Sequence, residues 1–98
     1  MPVYLIANIN IHDREEYANY EAGFMDVFSK YKGRMLAVDE AQITLEGDWP
    51  FTRSVLIEFP SEQDARAWYE SKEYQAIAQH RFASSEGNLA MVKGLDVG

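Results

Sequence analysis

Arg53-Ser54-Val55-Leu56-Ile57-Glu58-Phe59-Pro60-Ser61-Glu62-Gln63-Asp64 carries the densest structural signal in the 98-residue chain. Val55, Ile57 and Phe59 fall on one side of a period-two pattern and Ser54, Leu56 and Glu58 on the other, the mark of a strand with one wholly apolar face. Pro60 closes the strand, because proline has no N–H to offer a ladder. Ser61, three residues before Asp64, has the form of a capping box, in which the hydroxyl takes a free backbone N–H of the first helical turn. Strand passes into helix within two residues.

Downstream, Ala65, Trp68 and Tyr69 lie on that helix. From about Ser71 a second helical pattern places Tyr74, Ile77, Ala78 and Phe82 at spacings of three and four. The spacing leaves open whether this is one helix or a broken pair. Ser84 to Gly87 reads as a loop and Asn88 to Lys93 as a final strand.

Upstream, Arg34–Val38 and Gln42–Glu46 read as strand, interrupted at Asp39-Glu40-Ala41 by a hairpin turn or a bulge. Gly47-Asp48-Trp49-Pro50 is a loop by its glycine and proline. At the start, Val3, Leu5, Ala7, Ile9 and Ile11 share one face of a strand, while Tyr4, Ile6, Asn8 and Asn10 share the other. Asp13 is placed to cap a helix with Glu15 and Glu16 in its first turn, where carboxylates suit the positive end of the dipole. Tyr17, Tyr20, Phe24, Val27, Phe28 and Tyr31 continue it as an amphipathic helix that ends at Gly33.

The order is β-α-β-β-α-β, which predicts a single α+β domain over residues 1–98 with a ferredoxin-like antiparallel sheet and both helical segments on one face. Tyr4, Ile6 and Leu56 lie on the other face, for which the chain holds no covering element. A face that apolar predicts a face-to-face homodimer.

Composition narrows the partners. Sixteen acidic against nine basic residues give a net charge of −7, a field that repels phosphate backbones and anionic membrane surfaces, so no nucleic-acid or membrane partner is expected. The absence of cysteine removes disulfides, thiolate nucleophiles and Cys-based zinc sites. The opening Met1-Pro2-Val3-Tyr4-Leu5-Ile6 has no basic leader, and no apolar run reaches the ~18 residues of a membrane span, so a cytoplasmic location is expected.

A set of blocks in fixed order then resembles a known family. They are Ala7-Asn8-Ile9, Tyr17 with Tyr20, Gly33-Arg34, Leu45-Glu46-Gly47-Asp48-Trp49, Arg53, Ile57-Glu58-Phe59-Pro60-Ser61, and Ala67-Trp68-Tyr69-Glu70-Ser71 followed by Glu73-Tyr74-Gln75. Together they resemble the bacterial DUF1330 family, within the dimeric α+β barrel superfamily, and the match runs over nearly the whole chain. It departs at Lys32, where the family often has a second glycine, and at Lys72, where proline is common. The resemblance implies fold and dimer rather than a reaction, since fold alone does not transfer function. Superfamily relatives include cofactor-free monooxygenases, isomerases, haem-degrading enzymes and ligand-binding regulatory modules.

Candidate chemistry rests on six residues. His80, in the last helix, could act as a base, and Glu58, if turned into the dimer face, could act as a general acid or base through a raised pKa. An ion pair from Glu58 to an arginine across the sheet is the competing reading. Arg34 and Arg53 could grip a carboxylate in bidentate fashion, and Asn8 and Trp68 could complete a pocket between sheet and helices. The superfamily's haem-degrading members imply a different use of Asn8, Trp68 and His80 as a porphyrin-contacting set. No His-x-x-x-His or Glu-x-x-His spacing supports a metal, and no glycine-rich phosphate loop supports a nucleotide. Tyr17, Tyr20 and Tyr31 read as core residues by their helical spacing. The expected function is binding of a small aromatic or carboxylate molecule without a cofactor, with cofactor-free monooxygenase or isomerase chemistry possible, against a non-catalytic binding or assembly module.

Overall fold

β1 (Val3–Ile11) runs through the middle of a four-stranded sheet of order β2-β3-β1-β4, with β2 at Arg34–Asp39, β3 at Arg53–Phe59 and β4 at Ser85–Lys93. All three strand pairs are antiparallel. The computed structural model describes residues 1–95, so the last three positions of the expected domain lie outside the described residues. Three helices, α1 (Arg14–Phe28), α2 (Glu62–Tyr69) and α3 (Lys72–Ser84), cover one face. This is the ferredoxin-like α+β plan read from the sequence.

The period-two faces fall as expected. Val3, Leu5, Ala7 and Ile9 of β1, with Ile57 and Phe59 of β3, are buried beneath the helices, where they meet Tyr17, Tyr20, Val27 and Phe28 of α1. Trp68 and Phe59 sit at the centre, their ring centroids 5.7 Å apart. The opposite face carries Tyr4, Ile6 and Asn8 beside their β3 partners Glu58, Leu56 and Ser54, and among the described residues no helix or further strand covers it. Among the described residues no helix is long and apolar enough to cross a membrane.

Three local expectations are corrected, and one open choice is decided. Gln42–Glu46 is not a strand: the β2–β3 ladder ends at Asp39 opposite Ser54. There the Asp39 carboxylate takes the Ala41 N–H at 2.8 Å and turns the chain out, leaving Ile43 and Leu45 more than four-fifths exposed. The first helix stops at Phe28 rather than Gly33, because the chain tightens through Lys30 N–H to Val27 and Tyr31 N–H to Phe28. Gly33 then passes the Phe28 and Phe59 rings so closely that a Cβ there would lie 2.6 Å from either.

The second helical stretch is a broken pair. Ser71 is extended (φ −65°, ψ 147°), and its Oγ donates to the Trp68 carbonyl at 2.8 Å while accepting the Tyr74 N–H at 3.1 Å. One serine thus ends α2 and starts α3. Ser84–Gly87 is not a loop, since α3 passes directly into β4 at Ser85. Gly87 lies inside the ladder opposite Ile9, where an added Cβ would meet the Asn8 carbonyl oxygen at 2.2 Å. That glycine reports close backbone approach rather than a turn.

Candidate ligand-binding site

Ala7 is the smallest inward side chain of β1, set between Leu5 and Ile9 and flanked across the sheet by Val55 and Leu89. Above this notch the helices do not fill the space, and a cavity of about 250 Å³ remains between sheet and helices. Its floor is Ala7, Ile9, Val55, Ile57 and Leu89. The wall from α1 is Tyr17, Tyr20, Phe24 and Met25, and the far wall is Trp68 with Tyr74. The lining is apolar and ring-rich, with a few polar groups aimed inward, the general character of small-molecule sites.

Those polar groups come from three places. The Tyr20 and Tyr74 hydroxyls, on α1 and α3, lie 2.9 Å apart and are buried. Burial, together with Tyr74, pushes the Tyr20 phenol far above its ordinary value, and burial raises Tyr17 as well. Both are therefore neutral hydrogen-bonding groups at neutral pH rather than bases. Arg81 of α3 lines the cavity with its guanidinium 5.8 Å from the Tyr20 ring centroid and an Nη 3.5 Å from the Tyr74 hydroxyl.

Arg53 enters from β3. Its cross-strand partner is Ile9, so it shares the helix-covered face, and its guanidinium stands 5.5 Å from the Tyr17 ring centroid. It is paired with Glu40 at 2.9 Å and with Glu21 at 3.4 Å, and Glu40 also holds Arg14 at 3.0 Å. Hydrogen bonds from Arg14 and Arg53 hold the Glu40 carboxyl below its ordinary value. Two buried N–H groups are left without a partner among the described residues, Arg53 Nε and Trp68 Nε1. A buried donor without an acceptor is costly, by about 1–3 kcal/mol.

Of the six residues singled out from the sequence, Arg53 and Trp68 line the cavity. Asn8 lies on the uncovered sheet face, where its Oδ1 accepts the Ser54 hydroxyl at 3.1 Å. Glu58 occupies the same face and pairs with Arg34 of β2 at 2.7 Å. His80 points between α3 and α1, with Nδ1 3.1 Å from a Glu16 oxygen. Asn8, Trp68 and His80 therefore belong to three separate environments. Glu16 is held below its ordinary value by Asn19 and by His80.

Tyr74 and Arg81 carry much of the site's polarity and were not singled out. The Tyr20–Tyr74 contact joins positions 54 apart in sequence, and helical spacing marks both only as packing residues. Arg81 did leave a trace: Tyr74, Ala78 and Arg81 recur at intervals of four and three, which sets a cation on the core-facing stripe of α3.

Solved structures share this architecture. A protein of unknown function from Rhodopseudomonas palustris, RPA0582, superposes with a TM-score of 0.82 at 18% identity, covering 97% of this chain and 83% of its own. SnoaB, a cofactor-independent oxygenase from Streptomyces nogalater, gives 0.68 at 11% identity over 98% of this chain and 95% of its own. HapK from Hahella chejuensis gives 0.63 at 14%, over 98% and 95%. At such identities the likeness is one of fold. No curated protein matches the sequence. The family model for a domain of unknown function, DUF1330, matches residues 2–95, and the chain belongs to that family.

Proposed function

We propose that the protein is a homodimer whose cavity between sheet and helices binds a small aromatic molecule of one or two rings. The observation that carries this is a cavity of about 250 Å³ between sheet and helices, walled by aromatic side chains. Sites for drug-sized ligands span about 300–1,000 Å³, so this one suits something smaller. Arg53 and Trp68 serve the site. Asn8, Glu58 and Arg34 serve the uncovered face, where two copies would meet. A chain without cysteine and with a net charge of −7 suits a cytoplasmic setting.

Cofactor-free oxygenase or isomerase chemistry is the finer reading, supported by the fold shared with SnoaB. His80 and Glu58 do not line the cavity, and the carboxylate that does, Glu21, is engaged by Arg53. With Tyr17 and Tyr20 held neutral, such chemistry requires a substrate that ionises readily by itself. Binding without turnover needs no base at all and is favoured by the geometry.

A native mass spectrum of the purified protein, compared with a denatured one, tests both parts of the proposal. A dimer carrying added small-molecule mass that is lost on denaturation is the expected result. A monomer would contradict the assembly. A dimer that stays bare even after incubation with a panel of one- and two-ring aromatic compounds would contradict the site.

A further inference from the structure

Arg81 differs from the other cationic groups around the cavity. Arg53 is answered by Glu21 and Glu40. Among the described residues Arg81 has no carboxylate within 4.0 Å; its guanidinium makes a long contact to the Tyr74 hydroxyl and stands over the Tyr20 and Phe82 rings, at 5.8 Å and 4.8 Å. Ring faces attract a guanidinium but do not neutralise it, and a partly buried charge without a counterion is an open demand for an anion.

The neighbouring groups point the same way. Two hydroxyls 2.9 Å apart share one hydrogen between them, and if Tyr74 accepts from Arg81 and donates to Tyr20, the Tyr20 hydrogen is left to donate outward. Trp68 is 2% exposed and lines the cavity, and its Nε1–H has no acceptor. Phenol O–H and guanidinium thus stand as available donors beside one apolar space, while the indole contributes its ring. The carboxylate on its wall, Glu21, is already paired with Arg53. A ligand that satisfies this wall must bring acceptors and negative charge, and the rings and methyl groups opposite require the rest of it to be flat and apolar.

We infer that Arg81 is the anion anchor of the cavity and that the ligand is an aromatic acid, its carboxylate held by the guanidinium with the Tyr20 hydroxyl as supporting donor. This rests on the cavity being a ligand site. It adds the ligand's charge and the residue that reads it. Since the whole molecule carries −7, its long-range field does not draw anions in, and the preference is set inside the cavity, where charge-assisted hydrogen bonds are strong.

Calorimetric titration of the 98-residue protein with naphthoate and with its neutral counterpart naphthamide separates the two levels. The wild type should bind naphthoate about tenfold to a hundredfold more tightly than naphthamide. Arg81→Met should bind both alike, near the wild-type affinity for naphthamide, and Arg81→Lys should retain part of the preference, each variant first matched to wild type by circular dichroism. Equal wild-type affinities for the two probes would overturn the anchor and leave the aromatic site standing. A preference that survives in Arg81→Met would overturn the assignment to Arg81. Failure of both probes to bind the wild type would overturn the site together with its anchor.

Discussion

The Tyr20–Tyr74 hydroxyl pair is the clearest case of one contact that both joins two helices and shapes the site. Removing either hydroxyl strands the other in a buried setting, so Tyr20→Phe or Tyr74→Phe should each destabilise by about 1–2 kcal/mol. Removing both strands neither. The double variant should be less destabilised than the sum of the singles by about 1 kcal/mol, a coupling that urea denaturation of the four proteins would measure. Strict additivity would mean the hydroxyls do not interact. At Gly87 the constraint is steric: with a Cβ 2.2 Å from the Asn8 carbonyl oxygen, Gly87→Ala must push β4 from β1, at about 1–3 kcal/mol. The sequence offered that glycine as part of a loop, because composition cannot distinguish a turn from a close backbone approach.

Among the elements, the join between α2 and α3 matters most, because it sets Trp68 and Tyr74 with their ring centroids 4.2 Å apart on one wall. Ser71 makes that join with one hydroxyl, and Ser71→Ala should lower stability by about 0.5–2 kcal/mol, read from the denaturation midpoint. The strands and helix starts were legible from alternation and capping residues, since those signals are local. The course of Gln42–Glu46 was not: its alternation suits a strand, but the β2–β3 ladder has ended at Asp39 and Ser54, and only the tertiary arrangement reveals that. The six candidate residues show the same divide. Sequence placed Arg53 and Trp68 on the right elements, while the direction of His80 followed from Glu16, 64 positions away.

The arm that begins at Glu40 also gives the fold a pH-dependent clasp. Arg14 and Arg53 hold the Glu40 carboxyl below its ordinary 4.5, so the carboxylate is bound more favourably in the folded than in the unfolded chain. Its contribution is present above 4.5 and disappears as pH falls through the lower folded value. Glu40→Gln should therefore be slightly less stable than wild type near neutral pH, with the small magnitude of a solvent-screened pair. The difference should vanish in acid. Thermal melts of both proteins across that range would show it, and a gap that widened in acid would contradict the pairing.

At the scale of the whole molecule, the helices cover one sheet face and leave Ile6, Leu36 and Val92 on or beside the other between 38% and 45% exposed. Stable interfaces bury roughly 800 Å² per partner, an area that a four-stranded face can supply. Ile6→Asp places a charge between Leu56 and Ala90 and should convert the proposed dimer to monomer in light scattering while the cavity on the other face stays formed. A dimer unchanged by that substitution would move the interface elsewhere.

The central claim is that the space above Ala7 is a binding site, and the methyl groups on its floor and wall report on it directly. A methyl-resolved NMR titration of the protein with naphthoate should shift Ile9, Met25, Met35, Val55, Ile57 and Leu89, which line the cavity, and leave Ile6, Leu56 and Val92 on the uncovered face in place. Shifts confined to that second set, or no shifts at all, would contradict it.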